Sequence, residues 1–167
     1  MKNKSIRESK VKIVNPITGL PTENLVAHNL RERNDLIKNK SFLRCSIQHW
    51  ERFTRVCDEK LGADLLKFVA MLILEVQEEA GTTEGLVCQS DNDYFTILDL
   101  STVIPKIRER LQQRFTPAAL EQEPIYVSRI REQVDGDKIP TSLKLITKII
   151  TADDFFQIEK YPGKEAS

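Results

Sequence analysis

The sequence predicts a fold of the α/β or α+β class, built as a single domain. Helix-type and strand-type segments alternate along the chain before it ends in strand-type segments, which is the element order of these classes. The 167 residues, 40% of them hydrophobic, are enough for one core without disulfide or metal support. The 25 Lys and Arg residues balance 25 Asp and Glu residues, which argues against a protein that neutralises many nucleic-acid phosphates.

Neither membrane insertion nor secretion is expected. The longest apolar run, residues 68–74, is far shorter than the roughly 20 residues that a membrane-spanning helix needs. Residues 1–14 are basic and are interpreted as a solvated tail, because no apolar segment follows them. Cys45, Cys57 and Cys88 are odd in number and widely spaced, which favours reduced, buried thiols over a disulfide framework or a zinc site. We therefore expect a cytoplasmic protein.

The first half of the chain predicts two helices around a strand. Thr22 is a suitable N-cap, Glu23 follows in the first turn, and apolar residues then recur on one stripe, so a helix is expected over residues 22–38. Residues 41–50 lack helical spacing and predict the first strand. Residues 63–80 are apolar nearly all round and end at Gly81, which predicts a heavily buried helix.

The second half predicts a hairpin, a helix and a pair of strands. Residues 85–88 and 94–98 flank a polar tip at 90–93, which is typical of a β-hairpin. Ser101 is placed to cap a helix that tolerates Pro105 in its first turn. Residues 125–134 and 139–150 are rich in strand-forming residues around a turn at 135–137, and residues 153–167 are expected to be a frayed C-terminal tail.

Two segments resemble the signature motifs of one family. Residues 15–21 read NPITGLP, and residues 90–98 read SDNDYFTIL. In this order and at this spacing they resemble the GGDEF family of diguanylate cyclases, whose members open with a segment of the type DPLTGLP and carry a GGDEF hairpin. The resemblance implies a GGDEF-like domain over residues 15–152, with a central, mostly antiparallel sheet flanked by helices.

The resemblance assigns the signature hairpin to Asp91, Asn92, Asp93, Tyr94 and Phe95. In an active cyclase the two glycines let the hairpin backbone approach a triphosphate, a contact that glycine permits because it has no Cβ. Asp91 and Asn92 stand at those positions, so both their bulk and the added carboxylate oppose GTP binding.

The family's metal and base contacts are altered as well. The metal-binding Asp of the first strand aligns with His49, and imidazole is a poor replacement for a carboxylate in a magnesium site. His49 and Asp93 could together accept zinc or manganese, but a solvent-facing His is the simpler interpretation. Thr54 replaces a phosphate-contacting Lys, and Cys57 replaces the guanine-recognising Asn. We expect no bound metal or cofactor.

Three acidic residues remain as candidate nucleotide-binding positions, namely Asp58, Asp64 and Asp93. Asp64 matches the family's second guanine-contacting acid, although the segment before it is shorter than in the family. The Arg-x-x-Asp motif that binds product in the family would fall in residues 81–85, where the sequence GTTEG has no Arg. Product inhibition through that motif is therefore not expected.

Apolar residues near the C-terminus suggest an interface. Ile146, Ile149 and Ile150 lie near Phe155 and Phe156, and together these are more apolar residues than one sheet face needs. The three isoleucines form the predicted contact with another protein or with a second copy of the chain. The arginines within residues 108–114 and 129–131 alternate with glutamates, which favours a mixed, solvated surface over a phosphate-binding face.

The residues and the resemblance together predict a catalytically inactive GGDEF-like domain. Its expected role is that of a regulatory or protein-interaction module in a bacterial signalling or assembly system. The alternative is a non-catalytic sensor that binds GTP or cyclic di-GMP weakly through Asp64 and Asp93. Residual cyclase activity is least favoured, because metal, phosphate and base contacts are altered together.

Overall fold

The computed structural model describes residues 13–48, 50–56, 58–90, 94–115 and 144–160. The helices in these ranges are α1 Glu23–Leu30, α2 Asn34–Ile37, α3 Trp50–Val56, α4 Glu59–Ala80, α5 Ile104–Arg114 and α6 Ala152–Lys160. The strands are β1 Lys40–Ile47, β2 Leu86–Ser90, β3 Tyr94–Leu100 and β4 Leu145–Ile150. Within the described ranges, no helix is long and apolar enough to cross a membrane.

The strands form one antiparallel sheet in the order β2-β3-β1-β4, which confirms the predicted α+β fold. β1 is central, since Phe42 pairs with Leu98 of β3 on one side and with Ile150 of β4 on the other. Each even-numbered residue pairs with an even-numbered residue of the neighbouring strand, and each odd-numbered residue with an odd-numbered one. Successive side chains along a strand point to opposite faces of the sheet. The sheet therefore has an even face and an odd face, named after the residue numbers of the strand side chains on each.

Each face is covered by two of the helices. α4 and α5 cover the odd face, where Leu43 and Ile97 belong to one buried cluster with Ile73 of α4. α1 and α6 cover the even face, where Phe42 lies in a second buried cluster with Phe155 of α6. Burial on both faces explains why the strands are apolar along most of their length.

The single helix predicted over residues 22–38 is wrong, because the chain forms two helices there. Thr22 does cap α1, since its hydroxyl oxygen accepts a hydrogen bond from Leu25 N at 3.2 Å. The buried stripe ends at Leu30, and Arg33 has φ −114° and ψ 64°, outside the helical region, before α2 begins at Asn34. No residue of α2 is buried, so packing does not favour one continuous helix.

The first strand is shorter than predicted, and α4 begins earlier than predicted. β1 ends at Ile47. Trp50, which the sequence pattern assigns to the strand, is the first residue of α3. Asp58 caps α4, since its Oδ1 accepts a hydrogen bond from Leu61 N at 2.7 Å, and the helix starts at Glu59. The apolar pattern locates only the buried part of α4, so the predicted start at residue 63 is late.

Residues 152–160 form a helix, so the predicted tail is wrong over this range. Phe155 is buried, and its ring stacks on Phe42 of β1 with the centroids 4.5 Å apart. Phe156 meets the Phe42 ring edge-on at 6.5 Å. Thr151 Oγ1 accepts a hydrogen bond from Asp154 N at 3.1 Å in the first turn. The adjacent phenylalanines hold α6 against the even face.

The predicted hairpin is confirmed as β2 and β3, and the predicted helix after it as α5. α5 starts at Ile104 with Pro105 in its first turn, whereas the Ser101 hydroxyl lies 2.7 Å from that of Ser41 and does not cap the helix. β4 confirms the end of the strand predicted over residues 139–150. The hairpin tip at 91–93, the predicted strand at 125–134, and residues 1–12 and 161–167 lie outside the described residues.

A buried carboxylate fixes the turn between α4 and β2. Asp99 Oδ2 accepts hydrogen bonds from Thr82 N at 2.9 Å and Gln77 Nε2 at 3.1 Å, and its Oδ1 accepts from the Thr82 hydroxyl at 2.5 Å. A Cβ at Gly81 or Gly85 would overlap this carboxylate, so glycine lets the turn close around it. Burial raises the pKa of Asp99, but the hydrogen bonds outweigh burial, and the pKa lies below its ordinary value of 3.8.

Replacing Asp99 by Asn should weaken the fold in a pH-dependent way. Asp99→Asn is expected to lower the free energy of unfolding by about 2 kcal/mol at neutral pH, because an amide accepts weaker hydrogen bonds than a carboxylate. Since the pKa is lower in the folded than in the unfolded state, ionised Asp99 contributes stability above pH 3.8 and loses it as the pH falls through the folded-state pKa. Urea unfolding across this range should therefore show the wild type losing its advantage on acidification. Glu78→Gln, at an exposed carboxyl of α4, is the control, and an advantage that grows on acidification would contradict the assignment.

Candidate functional site at the hairpin end of the sheet

The two motifs behind the resemblance meet at one end of the sheet, where β1 ends and β2 leads into β3. Strand pairing places Ser46, Ser90 and Tyr94 in one row across this end. The loop at residues 15–21 lies beside it, because Gln89 N donates a hydrogen bond to Pro21 O at 2.9 Å. We call this region the hairpin end.

The loop is held by its own polar side chains. Asn15 is buried, and its Oδ1 accepts hydrogen bonds from Ile17 N at 2.9 Å and Thr18 N at 3.2 Å. Gly19 has φ 75°, a conformation that glycine adopts without strain. The Thr18 hydroxyl donates to Gln89 Oε1 at 2.5 Å. The TGLP segment is therefore tied to β2 by both backbone and side-chain hydrogen bonds.

A buried ion pair lies on the even face near this end. Glu23 of α1 is 2% exposed, and its Oε2 lies 3.2 Å from Arg44 Nη2 of β1. Thr96 of β3 donates its hydroxyl to Oε1 of the same carboxylate. The Tyr94 ring lies over the Arg44 guanidinium, with 5.4 Å between the guanidinium carbon and the ring centroid. The positive charge of Arg44 is thus engaged by side chains of the protein itself.

The ion pair is absent from the predicted site residues, although the sequence contains a signal for it. Arg44 stands in an apolar strand between Leu43 and Cys45, and a charged side chain among buried neighbours needs a partner. Glu23 is expected from sequence as a favourable charge at a helix N-terminus. The contact between Glu23 and Arg44 depends on how α1 lies across the sheet, which no local pattern displays.

Two buried donors near the hairpin end have no hydrogen-bond partner, namely Arg44 Nε and Gln89 Nε2. A buried donor without a partner costs on the order of 1–3 kcal/mol. The buried polar side chains at the hairpin end therefore leave some hydrogen-bond donors unused, unlike the side chains bonded to Asp99.

The structure does not bring the predicted nucleotide-binding acids together in its described part. Asp58 is the N-cap of α4, and Asp64 lies on the same helix about 240° further round its axis, since successive helical residues are about 100° apart. No group of three or more His, Cys, Asp or Glu residues that could hold a metal occurs among the described residues. The predicted positions that lie outside the described residues are His49, Cys57, Asp91, Asn92 and Asp93.

The last two residues of the signature hairpin point to opposite faces of the sheet. Phe95 is buried in the odd-face cluster, whereas Tyr94 is exposed on the even face. The position that holds Glu in the family resemblance is thus occupied by an aromatic ring stacked on Arg44.

The cysteines of the described strands are packing residues. Cys45 and Cys88 are free and buried, which confirms the predicted unpaired, buried thiols at these two positions. Burial raises the pKa of Cys45 to about 12, against a smaller opposing effect of Arg108. Burial also raises the pKa of Cys88 well above its ordinary value of 9.0. Both thiols therefore stay protonated, and neither is a nucleophile at neutral pH.

The three predicted interface isoleucines fall into two groups. Ile150 is 6% exposed and belongs to the even-face core, so it does not contribute to an exposed surface. Ile146 and Ile149 are 49% and 45% exposed. Ile146 pairs with Ser46 on the even face, and Ile149 pairs with Leu43 on the odd face. The two exposed isoleucines therefore lie on the two sides of β4 and do not form one patch.

Comparison with solved structures identifies the fold. A diguanylate cyclase/phosphodiesterase from Caldicellulosiruptor saccharolyticus is similar with a TM-score of 0.59 and 14% identity, covering 93% of this chain and 88% of that one. The GGDEF domain of DgcB from Caulobacter crescentus, in complex with c-di-GMP, is similar with a TM-score of 0.55 and 10% identity, covering 94% and 92%. No protein-family model and no curated protein sequence matches the chain. The chain therefore has the fold of a GGDEF domain, as its two motifs predict.

The ion pair predicts a measurable coupling between α1 and β1. Arg44→Met is expected to lower the free energy of unfolding by about 3 kcal/mol, because it leaves the Glu23 carboxylate buried without its cation. In the double variant Glu23→Gln/Arg44→Met the buried charge is gone as well, so the loss should be smaller than the sum of the two single losses. Urea unfolding of the four proteins measures the difference, and strictly additive losses would contradict the coupling.

Proposed function

We propose that the chain is a GGDEF-like domain that does not synthesise cyclic di-GMP and that serves as a regulatory or protein-interaction module in bacterial signalling. The observation that carries the proposal is the identity of the hairpin residues, since Asp91 and Asn92 stand at the positions of the two signature glycines. A module of this kind retains the fold as a scaffold and uses its surface to contact a partner.

The chemistry of the substituted positions opposes cyclase activity. Side chains at the glycine positions hinder close approach of a triphosphate, and the Asp91 carboxylate repels its charge. His49 stands where the family has a metal-binding carboxylate, which disfavours magnesium. Tyr94 replaces the signature Glu and offers an exposed phenol that stacks on Arg44. Three separate requirements of phosphoryl transfer are thus weakened at once.

The electrostatics of the described hairpin end support the same proposal. Arg44 is a cation close to the hairpin, and its Nη2 lies 3.2 Å from the Glu23 carboxylate. A phosphate bound there would compete with the buried Glu23 carboxylate for the positive charge of Arg44.

Nucleotide sensing without turnover is the alternative function. The DgcB domain described above is in complex with c-di-GMP, so this fold accommodates that ligand in that protein. Asp64 stands at a position that the resemblance connects with guanine recognition, which is the residue-level argument for this alternative.

Incubation with GTP and magnesium is expected to yield no cyclic di-GMP, because the phosphate and metal contacts are both altered. Chromatography of the products measures this, with an active GGDEF cyclase as the positive control. Turnover that Asp93→Ala abolishes would contradict the proposal.

Titration calorimetry with GTP and with cyclic di-GMP, in the presence of magnesium, is expected to show no heat of binding, whereas micromolar affinity for either nucleotide would favour the sensor.

A charge on β4 is expected to weaken association. Ile149→Asp should destabilise a partner complex or a concentration-dependent dimer, because a carboxylate in an apolar contact loses its hydration. Sedimentation velocity across a range of concentrations measures self-association, with Leu74→Asp as a control at an exposed apolar residue of α4. A strictly monomeric protein that binds no partner would contradict the interaction role.

A further inference from the structure

The arginines of α5 differ in their surroundings. Arg110 Nη1 lies 3.2 Å from Glu79 Oε2 of α4. Arg114 Nη2 lies 2.8 Å from Glu75 Oε2 of the same helix. Arg108 is on the side of α5 that faces β4, and it forms no ion pair with a described residue. The mixed-charge surface expected from the sequence therefore describes Arg110 and Arg114 but not Arg108.

The described elements packed around Arg108 supply no counter-charge. Neither β4 nor β1 contains an acidic residue. The nearest acid in sequence, Glu109, is exposed about 100° further round the helix. Burial raises the pKa of the Cys45 thiol of β1 to about 12 despite the opposing effect of Arg108, so this neighbour is uncharged. The residues of α5 one turn from Arg108 are Ile104, Pro105, Leu111 and Gln112.

Hydrogen-bond donors converge beside Arg108. Thr147 Oγ1 accepts hydrogen bonds from Arg108 Nε at 2.9 Å and from Gln112 Nε2 at 3.3 Å. A hydroxyl has two acceptor lone pairs and one proton, so the Thr147 proton remains to be donated, and it has no acceptor among the described residues. The Nη atoms of Arg108 are not among the buried donors without a partner and bond to no described residue, so they reach solvent.

An exposed apolar side chain lies next to these donors. Ile149 follows Thr147 on the odd face of β4 and is 45% exposed. Residues two apart in a strand are separated by about 7 Å, so a ligand held at Arg108 has an apolar contact within reach. We use the name odd-face site for Arg108, Gln112, Thr147 and Ile149.

We propose that the odd-face site binds an acidic side chain of a partner protein, whose carboxylate accepts hydrogen bonds from Arg108 and from the Thr147 hydroxyl. The guanidinium presents its donors in a planar fork that matches the two oxygens of a carboxylate. An apolar residue next to the acid covers Ile149, which a free inorganic anion cannot do. The inference deepens the proposed interaction role and rests on it.

The test is an NMR titration of the full chain with two capped dipeptides. The probe is N-acetyl-glutamyl-leucine amide, and the control, N-acetyl-glutaminyl-leucine amide, has the same shape without the charge. The Arg108 Nε–H signal and the Gln112 side-chain amide signals are expected to shift with millimolar glutamyl dipeptide. Binding of the neutral dipeptide should be at least about tenfold weaker. The Nε–H signals of Arg110 and Arg114 should stay unchanged, because both guanidinium groups are paired with acids of α4.

Four variants separate the components of the site. Arg108→Met should abolish the Gln112 shifts, and Arg108→Lys should weaken binding, because it keeps the charge but loses the fork. Thr147→Val keeps the shape but removes the hydroxyl, and should also weaken binding. Arg110→Met is the matched control and should leave binding unchanged. Circular dichroism checks the fold of each variant, and the comparison of the two dipeptides on the wild-type chain decides the question if Arg108→Met does not fold.

Absence of shifts with the glutamyl dipeptide would overturn the inference, and so would equal shifts with the two dipeptides. Inorganic phosphate at the same ionic strength is the third titrant. Shifts of the Arg108 signal with phosphate but not with the glutamyl dipeptide would overturn the assignment to a protein side chain. These titrations measure neither turnover nor nucleotide binding, so a failure here is distinguishable from a failure of the proposed function.

Discussion

The register of β1 between β3 and β4 is the constraint on which the rest of the structure depends. It places Phe42 and Arg44 on the even face, where Phe155 stacks on the first and Glu23 pairs with the second. A shift of one residue would turn Arg44 into the apolar cluster under α4 and α5, far from its carboxylate. The same register determines that Ile146 and Ile149 lie on opposite faces of the edge strand.

Two polar anchors hold the hairpin strands independently of any ligand. At the start of β2, the Asp99 carboxylate binds Thr82 and closes the preceding turn. At the end of β2, Gln89 Oε1 accepts a hydrogen bond from the Thr18 hydroxyl, and Gln89 N donates one to Pro21 O. The hairpin is thus positioned by hydrogen bonds within the chain, so the fold persists where the phosphate contacts of the family resemblance are replaced. A scaffold of this kind suits an interaction module.

The parts of the fold that depend on local signals were predictable from sequence. The Thr22 cap, the β2–β3 hairpin and the apolar stripe of α5 each follow from a few neighbouring residues. The parts that depend on tertiary contacts were not predictable. α6 is stabilised by Phe155 stacking on a strand distant in sequence, and the short α3 carries no clear helical repeat. For the candidate site, the motifs named the two segments that meet at the hairpin end, but no local pattern indicated the ion pair beside them.

The separation of exposed isoleucines from buried Ile150 shows how strand geometry refines a sequence hypothesis. Composition alone groups the three residues, whereas the alternation of β4 assigns Ile150 to the core and the other two to opposite sides of the strand. The hypothesis of one apolar patch made of all three isoleucines is therefore replaced by two separate exposed positions.

The proposal that this domain does not bind nucleotide at the hairpin end is tested most directly by an amide NMR titration of a labelled sample. Adding GTP and magnesium should leave the Gln89 and Tyr94 amides unchanged, because the Arg44 charge beside them is paired with the Glu23 carboxylate. Shifts of the Gln89 and Tyr94 amides with GTP would contradict the proposal.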